Sequence, residues 1–374
     1  MGLEIRETPL GGKLKDFLNV VDYVYRGVPH YVRPLDMEMR DRFSLKNPFF
    51  DRAEGATFTA YRNGWCVGRV SAQVDREHLA RHDEAVGFFG FLDTIDDEEV
   101  SRALLEAAGN WLRARDMKRM RGPLSLTLEE ECGCLVEGFD APSMVATPQH
   151  RPYQGGLIEQ AGFGKLKDFR TWQLSPRDVP GPARSREQRL DALSELKTRH
   201  LDVRNLDAEL FLVEQILNDA AGDNWGLVPW TTRARSKQAA DLKLIAIPEL
   251  ATIVEVDGEP AGVVLAVPNL NELIYDLKGS LVPLGLPKLL WRLKVIGTKG
   301  CRVRLFAVRR KFAEQAAYAE LGSFLLTKLA GAAARLGLES ITLTGREEDQ
   351  SLTAQVLAMG GKSRRTLRLY EKPL

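Results

Sequence analysis

Asp75 and His78 lie three residues apart in Asp75-Arg76-Glu77-His78, and Glu129, Glu130 and Glu131 stand just before Cys132-Gly133-Cys134. A carboxylate beside a histidine stabilises the imidazolium, so His78 paired with Asp75 or Glu131 would be a tuned base able to take a proton from a nucleophile. Glu347 and Glu348, just beyond a predicted strand, offer a second acidic pair, of which Glu348 is the candidate base. Tyr153 and Tyr370 are candidate proton donors, because a phenol donates while staying protonated at neutral pH. Arg121, at the end of a predicted strand, is a candidate for holding substrate. Each also has a plainer reading: an exposed helix residue for His78, solvated loops for the glutamates, and core packing for the tyrosines. Two cysteines with one residue between them, even with His150 nearby, are too few for a structural zinc site, and no metal is expected.

A second set of residues suits phosphate and apolar ligands. Val308-Arg309-Arg310-Lys311-Phe312 continues to Ala316-Ala317 at a strand-to-helix turn. The unpaired N–H groups and positive dipole end of a helix start, with three cations beside them, would hold a phosphate; cations that merely solvate a turn would look the same. Trp225 and Trp230 flank Pro229 in a cluster that would shape a hydrophobic pocket or pack in the core. Residues 270–297 are apolar but broken by Pro283 and Pro287, and a helix from Pro287 would set Lys288, Arg292 and Lys294 beside Leu289, Leu290, Trp291 and Leu293. That composition fits a bilayer interface, the lining of an acyl channel, or packing on the sheet or a second copy.

These residues need a sheet to bring them together, and the strand signals are clear. Ala56–Arg62 and Trp65–Val74 alternate about Asn63-Gly64, a two-residue hairpin turn. A strand over Glu84–Leu92, a helix over Glu98–Arg115 capped by Asp96-Asp97, a strand over Arg119–Pro123, a helix over Tyr153–Ala161 and a strand over Phe169–Leu174 follow. Three prolines and a glycine between Ser175 and Arg186 read as a linker. The order then recurs: Ala251–Val256 and Ala261–Val267 about Asp257-Gly258-Glu259-Pro260, a strand over Arg302–Val308, a helix over Tyr318–Leu336, a strand over Ser340–Thr344, a helix over Ser351–Met359 and a strand over Thr366–Tyr370. The repeated order predicts two domains, 1–178 and 179–374.

With 374 residues, 44% hydrophobic and 28% charged, the chain can bury a sizeable core. Its 52 basic and 51 acidic side chains give no global field for nucleic acid or an anionic membrane. No apolar run approaches the ~20 residues of a membrane span, and nothing resembles a signal peptide, so a cytoplasmic protein is expected, with peripheral contact at the inner membrane left open.

Glu348-Asp349-Gln350, Ala358-Met359-Gly360-Gly361-Lys362 and Arg368-Leu369-Tyr370-Glu371-Lys372 resemble the closing section of GNAT-fold N-acyltransferases. Asp75-Arg76-Glu77-His78, Gly87-Phe88-Phe89-Gly90-Phe91, Arg121-Gly122-Pro123, Glu131-Cys132-Gly133 and Gly138-Phe139-Asp140 resemble a group of long bacterial GNAT-like proteins, and within it the bacterial ceramide synthases. The resemblance implies an α/β fold of tandem GNAT-like domains, each a mixed, mostly antiparallel central sheet flanked by helices. It implies acyl-CoA as co-substrate, or an acyl carrier protein in its place, and a hydrophobic amine such as a sphingoid base as acceptor. In that frame the donor site falls in the C-terminal half, at Val308–Phe312, Ala316 and Ala317, and Trp225 and Trp230 border the acceptor, with Arg121 and Trp291 as further candidates for holding substrate. The turn lacks the glycines of the family's Arg/Gln-x-x-Gly-x-Gly/Ala pattern. A transferase for a small soluble amine or an aminoacyl acceptor, and a non-catalytic GNAT-like binding protein, remain alternatives, and the sequence leaves the oligomeric state open.

Overall fold

The computed structural model describes residues 2–221, 226 and 228–374. The chain packs into two compact units that interleave in sequence. The first comprises Met1–Phe169, Leu273–Val295 and Arg365–Leu374, and the second Arg170–Glu272 and Ile296–Arg364. The chain thus changes unit more than once, where a single cut after residue 178 would change it once.

In the first unit the strands Leu3–Pro9, Ala53–Arg62, Trp65–Asp75 and Val86–Thr94 form an antiparallel series. Val86–Thr94 then pairs in parallel with Arg119–Gly122, which pairs antiparallel with the last residues of the strand Lys362–Pro373. Asn63 and Gly64 take the positive φ values, 52° and 80°, that a tight hairpin requires. The expected helix from Glu98 runs to Arg113, and the Asp97 side chain accepts the Val100 N–H at 3.1 Å. Its apolar stripe, Val100, Leu104, Leu105, Ala108 and Leu112, buries against Phe58, Val70, Ala72 and Phe89. The helices Lys15–Val24 and Asp36–Arg42, with Phe43 just after the second, supply Phe17, Leu18, Met39 and Phe43 to a separate cluster with Phe91 and Leu126.

In the second unit Leu196–His200, Ala251–Val256, Glu259–Pro268 and Gly300–Val308 are antiparallel neighbours, and Ser340–Arg346 joins in parallel. The hairpin turn is the two residues Asp257 and Gly258, shorter than Asp257–Pro260, because the strand resumes at Glu259. The long helix starts at Leu321, not Tyr318, and ends at Arg335, burying Phe324, Leu325, Leu326 and Leu329 in the core. The Ser175–Arg186 segment is not all linker. Pro180 and Pro182 open a helix, Gly181–Asp191, as prolines do in a first turn where no N–H partner is needed.

Candidate active site

Among the described residues, each unit contains a parallel strand pair that meets over three residues only. In the first unit the register ends at Phe88 opposite Arg121, although the strand continues to Thr94. In the second it ends at Arg302 opposite Thr342, while the strand continues to Val308. Divergence frees backbone N–H and C=O groups along an edge, and such an edge can pair with an extended, amide-bearing ligand.

The two edges differ in what meets them. In the first unit the Phe91 N–H donates to Ser125 Oγ at 3.2 Å, Gln154 Nε2 donates to the Leu92 carbonyl at 2.9 Å, and the Tyr153 hydroxyl donates to the Thr94 carbonyl at 2.8 Å. All nine residues of Val86–Thr94 are buried. A Cβ on Gly90 would lie 2.4 Å from the Leu124 carbonyl oxygen, so chain already fills that side. In the second unit Arg304, Phe306 and Val308 are half-buried beyond the point of divergence and alternate with buried neighbours.

The basic turn after Val308 carries its own counter-ions. Arg309 Nη1 lies 2.8 Å from Glu259 and its Nε 3.4 Å from Asp219, the Arg310 N–H donates to Asp219 at 3.1 Å, and Lys311 pairs with Glu259. Only the four residues Arg310–Ala313 are helical there, with Phe312 buried under the Lys311 ammonium, and Ala316 and Ala317 sit in an exposed turn. Glu259 and Asp219 would compete with a phosphate for this turn.

The acid–base residues of the first unit are brought together only in part. Asp75 accepts the Glu77 and His78 backbone N–H groups at 3.1 and 3.3 Å and faces Arg52 at 3.3 Å, so it caps a helix and does not pair with the imidazole. Burial raises the Asp75 pKa against the opposing pull of Arg52. His78 is buried against the edge of Phe88 at 4.9 Å and beside His82 at 4.5 Å. Burial first, then His82, Arg121 and Arg52, lower its pKa to about 3, the reverse of the shift expected from a neighbouring carboxylate. Arg121 binds Glu84 at 2.6 Å and also Glu371, so its charge is already matched. Glu131 lies 3.1 Å from Arg42 Nη1, and Glu130 lies 2.7 Å from the same guanidinium.

The Tyr370 hydroxyl donates to Glu159 at 3.1 Å from a fully buried ring, and burial pushes its pKa up. Tyr153 is held by the Thr94 carbonyl. Glu348 lies in the turn between Ser340–Arg346 and Gln350–Ala358, after Glu347, which Arg170 binds at 3.0 Å. Trp230 is half-buried in a loop, Trp291 is exposed, and Trp225 lies outside the described residues. Cys132 and Cys134 are buried free thiols, and burial pushes Cys132 up to about 12, far from the thiolate form.

The first unit also holds a buried polar centre that no sequence motif marks. Arg69 Nε donates to Asp93 at 2.7 Å, and the Tyr25 hydroxyl sits between Asp93 and the Gln149 carbonyl oxygen, 2.8 Å from the latter. Tyr31 stacks on Tyr25 with centroids 3.9 Å apart, and the Leu135 N–H donates to His150 Nδ1 at 3.1 Å. An arginine and an aspartate inside two apolar strands were the available signal, since a buried charge is kept only with a partner.

No protein-family model matches the chain. A curated relative, the bacterial ceramide synthase of Caulobacter vibrioides, is 38% identical over 367 residues, covering 97% of this chain and 95% of its own. Protein YghO of Escherichia coli K12 is 31% identical over 362 residues, covering 96% and 93%. Among solved structures, a tandem GNAT protein from the clavulanic acid biosynthesis pathway matches 100% of this chain and 98% of its own at TM-score 0.60 and 12% identity. A GCN5-related N-acetyltransferase from Sphaerobacter thermophilus matches 85% and 80% at TM-score 0.52 and 12% identity. The chain belongs to the family of bacterial ceramide synthases and is an acyltransferase with a tandem GNAT fold.

Proposed function

We propose that the chain joins a long acyl group from a coenzyme A thioester to the amine of a sphingoid base, giving a ceramide. The match along nearly the whole chain to a ceramide synthase carries this reading. The amine nitrogen attacks the thioester carbonyl, the new C–N bond forms as the C–S bond breaks, and the amine proton leaves to a base while the thiolate is protonated or released.

The second unit takes the donor. Support comes from its half-buried diverging strand, in contrast to the first unit's strand, whose edge groups are already bonded by Ser125, Gln154 and Tyr153. Glu131 and Glu348 are the carboxylates to test as base, and Tyr153 and Tyr370 the phenols to test as proton donors to the thiolate, with His78 and Asp75 shaping the first unit. The matched charges at Arg309 and Lys311 favour a donor held as much by its acyl-pantetheine arm as by its phosphates, so an acyl carrier protein stays in the comparison. The protein works in the cytoplasm and meets the inner membrane peripherally through 270–297.

Mass spectrometry of products after incubating pure protein with mixed acyl-CoAs, acyl carrier protein thioesters and a panel of amines tests the reading. N-acylated sphingoid base is the expected product. Exclusive acylation of small soluble amines would replace it with the soluble-acceptor alternative, and no product with any donor would favour the non-catalytic one.

A further inference from the structure

Leucines and a tryptophan in a helix normally bury something, yet the helix Gly285–Trp291 has no buried residue, nor does the following π-helical turn Arg292–Ile296. Val282, Leu284 and Trp291 are 82%, 74% and 56% exposed, and Leu286, Leu290 and Val295 are exposed as well. Scattered apolar side chains on a surface need no explanation, but six within fourteen residues mark a contact surface.

The segment is held in place from beneath. Leu273 and Ile274 are buried, and Arg292 Nη1 donates to the Leu273 carbonyl and to Asp276, each at 2.6 Å. Lys288 joins the same carboxylate, and the Gly279 carbonyl accepts the Asp36 N–H at 2.8 Å. The apolar side chains are therefore displayed by a fixed base within the first unit.

Charge selects the occupant. Residues 277–295 contain Lys278, Lys288, Arg292 and Lys294 and no aspartate or glutamate; Asp276 pairs with Lys288 and Arg292, which leaves Lys278 and Lys294 as the exposed cations of this face outside that pairing. A second copy placed on this face would set the same cations against one another, whereas an anionic surface would complement them. Apolar side chains, one of them tryptophan, flanked by lysine and arginine are the composition that enters the headgroup boundary of a bilayer. The helix and the turn after it are seven and five residues long, too short to cross, and no helix among the described residues is long and apolar enough to do so.

We infer that residues 277–295 form a docking platform that seats the protein on anionic lipid, with Val282, Leu284, Trp291 and Val295 entering the boundary and Lys278 and Lys294 meeting the headgroups. This rests on the peripheral-membrane part of the proposed function and adds the segment and the lipid charge. The platform would let an amine with a long chain be met without leaving the bilayer.

Co-sedimentation of the full chain with vesicles of phosphatidylcholine alone, or mixed with phosphatidylglycerol, tests it. The parent should bind the mixed vesicles at least ~10-fold more tightly and lose that advantage at high salt. Leu284→Ser with Val295→Ser should lower binding to the mixed vesicles by ~10-fold or more, and Lys278→Glu with Lys294→Glu should abolish the preference for phosphatidylglycerol. Parent protein that stays in solution, or variants that bind as it does, overturns the platform. So does a parent dimer in sedimentation velocity that the serine variants convert to monomer, since the face would then join copies of the chain. Transfer to a detergent-dispersed amine is measured in parallel. Its absence in the parent would count against the acyltransfer reading and leave the docking result standing, while its persistence in the serine variants shows that they are folded.

Discussion

At His78 burial keeps the imidazole neutral far below its usual titration range. The folded pKa is depressed to about 3 from an ordinary 6.5, so between these values the unfolded chain binds a proton that the folded chain refuses. The stability contribution is therefore intact above pH 6.5 and is lost as pH falls toward 3, at up to ~1.4 kcal/mol per pH unit. Denaturant unfolding of His78→Gln at a series of pH values should show a shallower acid loss than the parent; parallel profiles would mean that the imidazole is accessible and titrates normally. At the basic turn, Glu259 is the counter-ion to both Arg309 and Lys311. If these cations meet coenzyme A phosphates, Glu259→Gln should tighten coenzyme A binding by roughly fivefold at low salt, while Arg309→Ala with Arg310→Ala should weaken it. Calorimetry showing the same affinity in all three proteins would remove the phosphates from this turn. The identity of these residues is legible in the sequence, but their partners are not. Glu131 meets Arg42 across 89 positions, and Arg121 meets Glu371 across 250, separations that no local spacing reports.

Elements whose signals are local are the legible ones. Asn63-Gly64 and Asp257-Gly258 mark hairpins because both residues of such a turn need positive φ. The Glu98–Arg113 helix is legible from its cap and apolar stripe. The stretch after Pro123 is not, because Leu124–Ser125 and Glu131–Cys132 form a two-residue ladder too short for any alternation to appear. That ladder matters, since Ser125 serves the diverging strand of the first unit. With that edge satisfied from within, titration with a non-hydrolysable acyl-CoA analogue should give about one site per chain by calorimetry. Two sites of similar affinity would mean that Ser125, Gln154 and Tyr153 yield their bonds to a ligand and that both units take donors.

Across the whole molecule, the repeated order of elements is readable and supports tandem units, but the interleaving of the chain is not. Residues 365–374 read as the close of the second domain, yet they pack with the first unit, where Tyr370 lies opposite Gly122 and Leu367 opposite Leu135. Deleting Arg365–Leu374 should therefore unfold the first unit more than the second. Hydrogen exchange should show protection lost over Arg119–Gly122 and Cys134–Glu137 and kept over Gly300–Val308; the reverse pattern would assign the strand to the second unit. Removing a paired strand with fully buried Leu369 and Tyr370 costs several kcal/mol, a large share of the ~5–15 kcal/mol that holds a typical domain.

The same interleaving has a consequence during synthesis. Domains fold as the ribosome releases them, usually the earlier one first. Here residues 1–169 emerge before the strand that completes their sheet, and 365–374 follow every segment of the second unit. The first unit must wait, with Gly122 and Leu135 unpaired, while the second assembles. A nascent chain interrupted anywhere in between yields a target for chaperones and proteases in place of half an enzyme, so acyl transfer begins only when translation has passed the final strand.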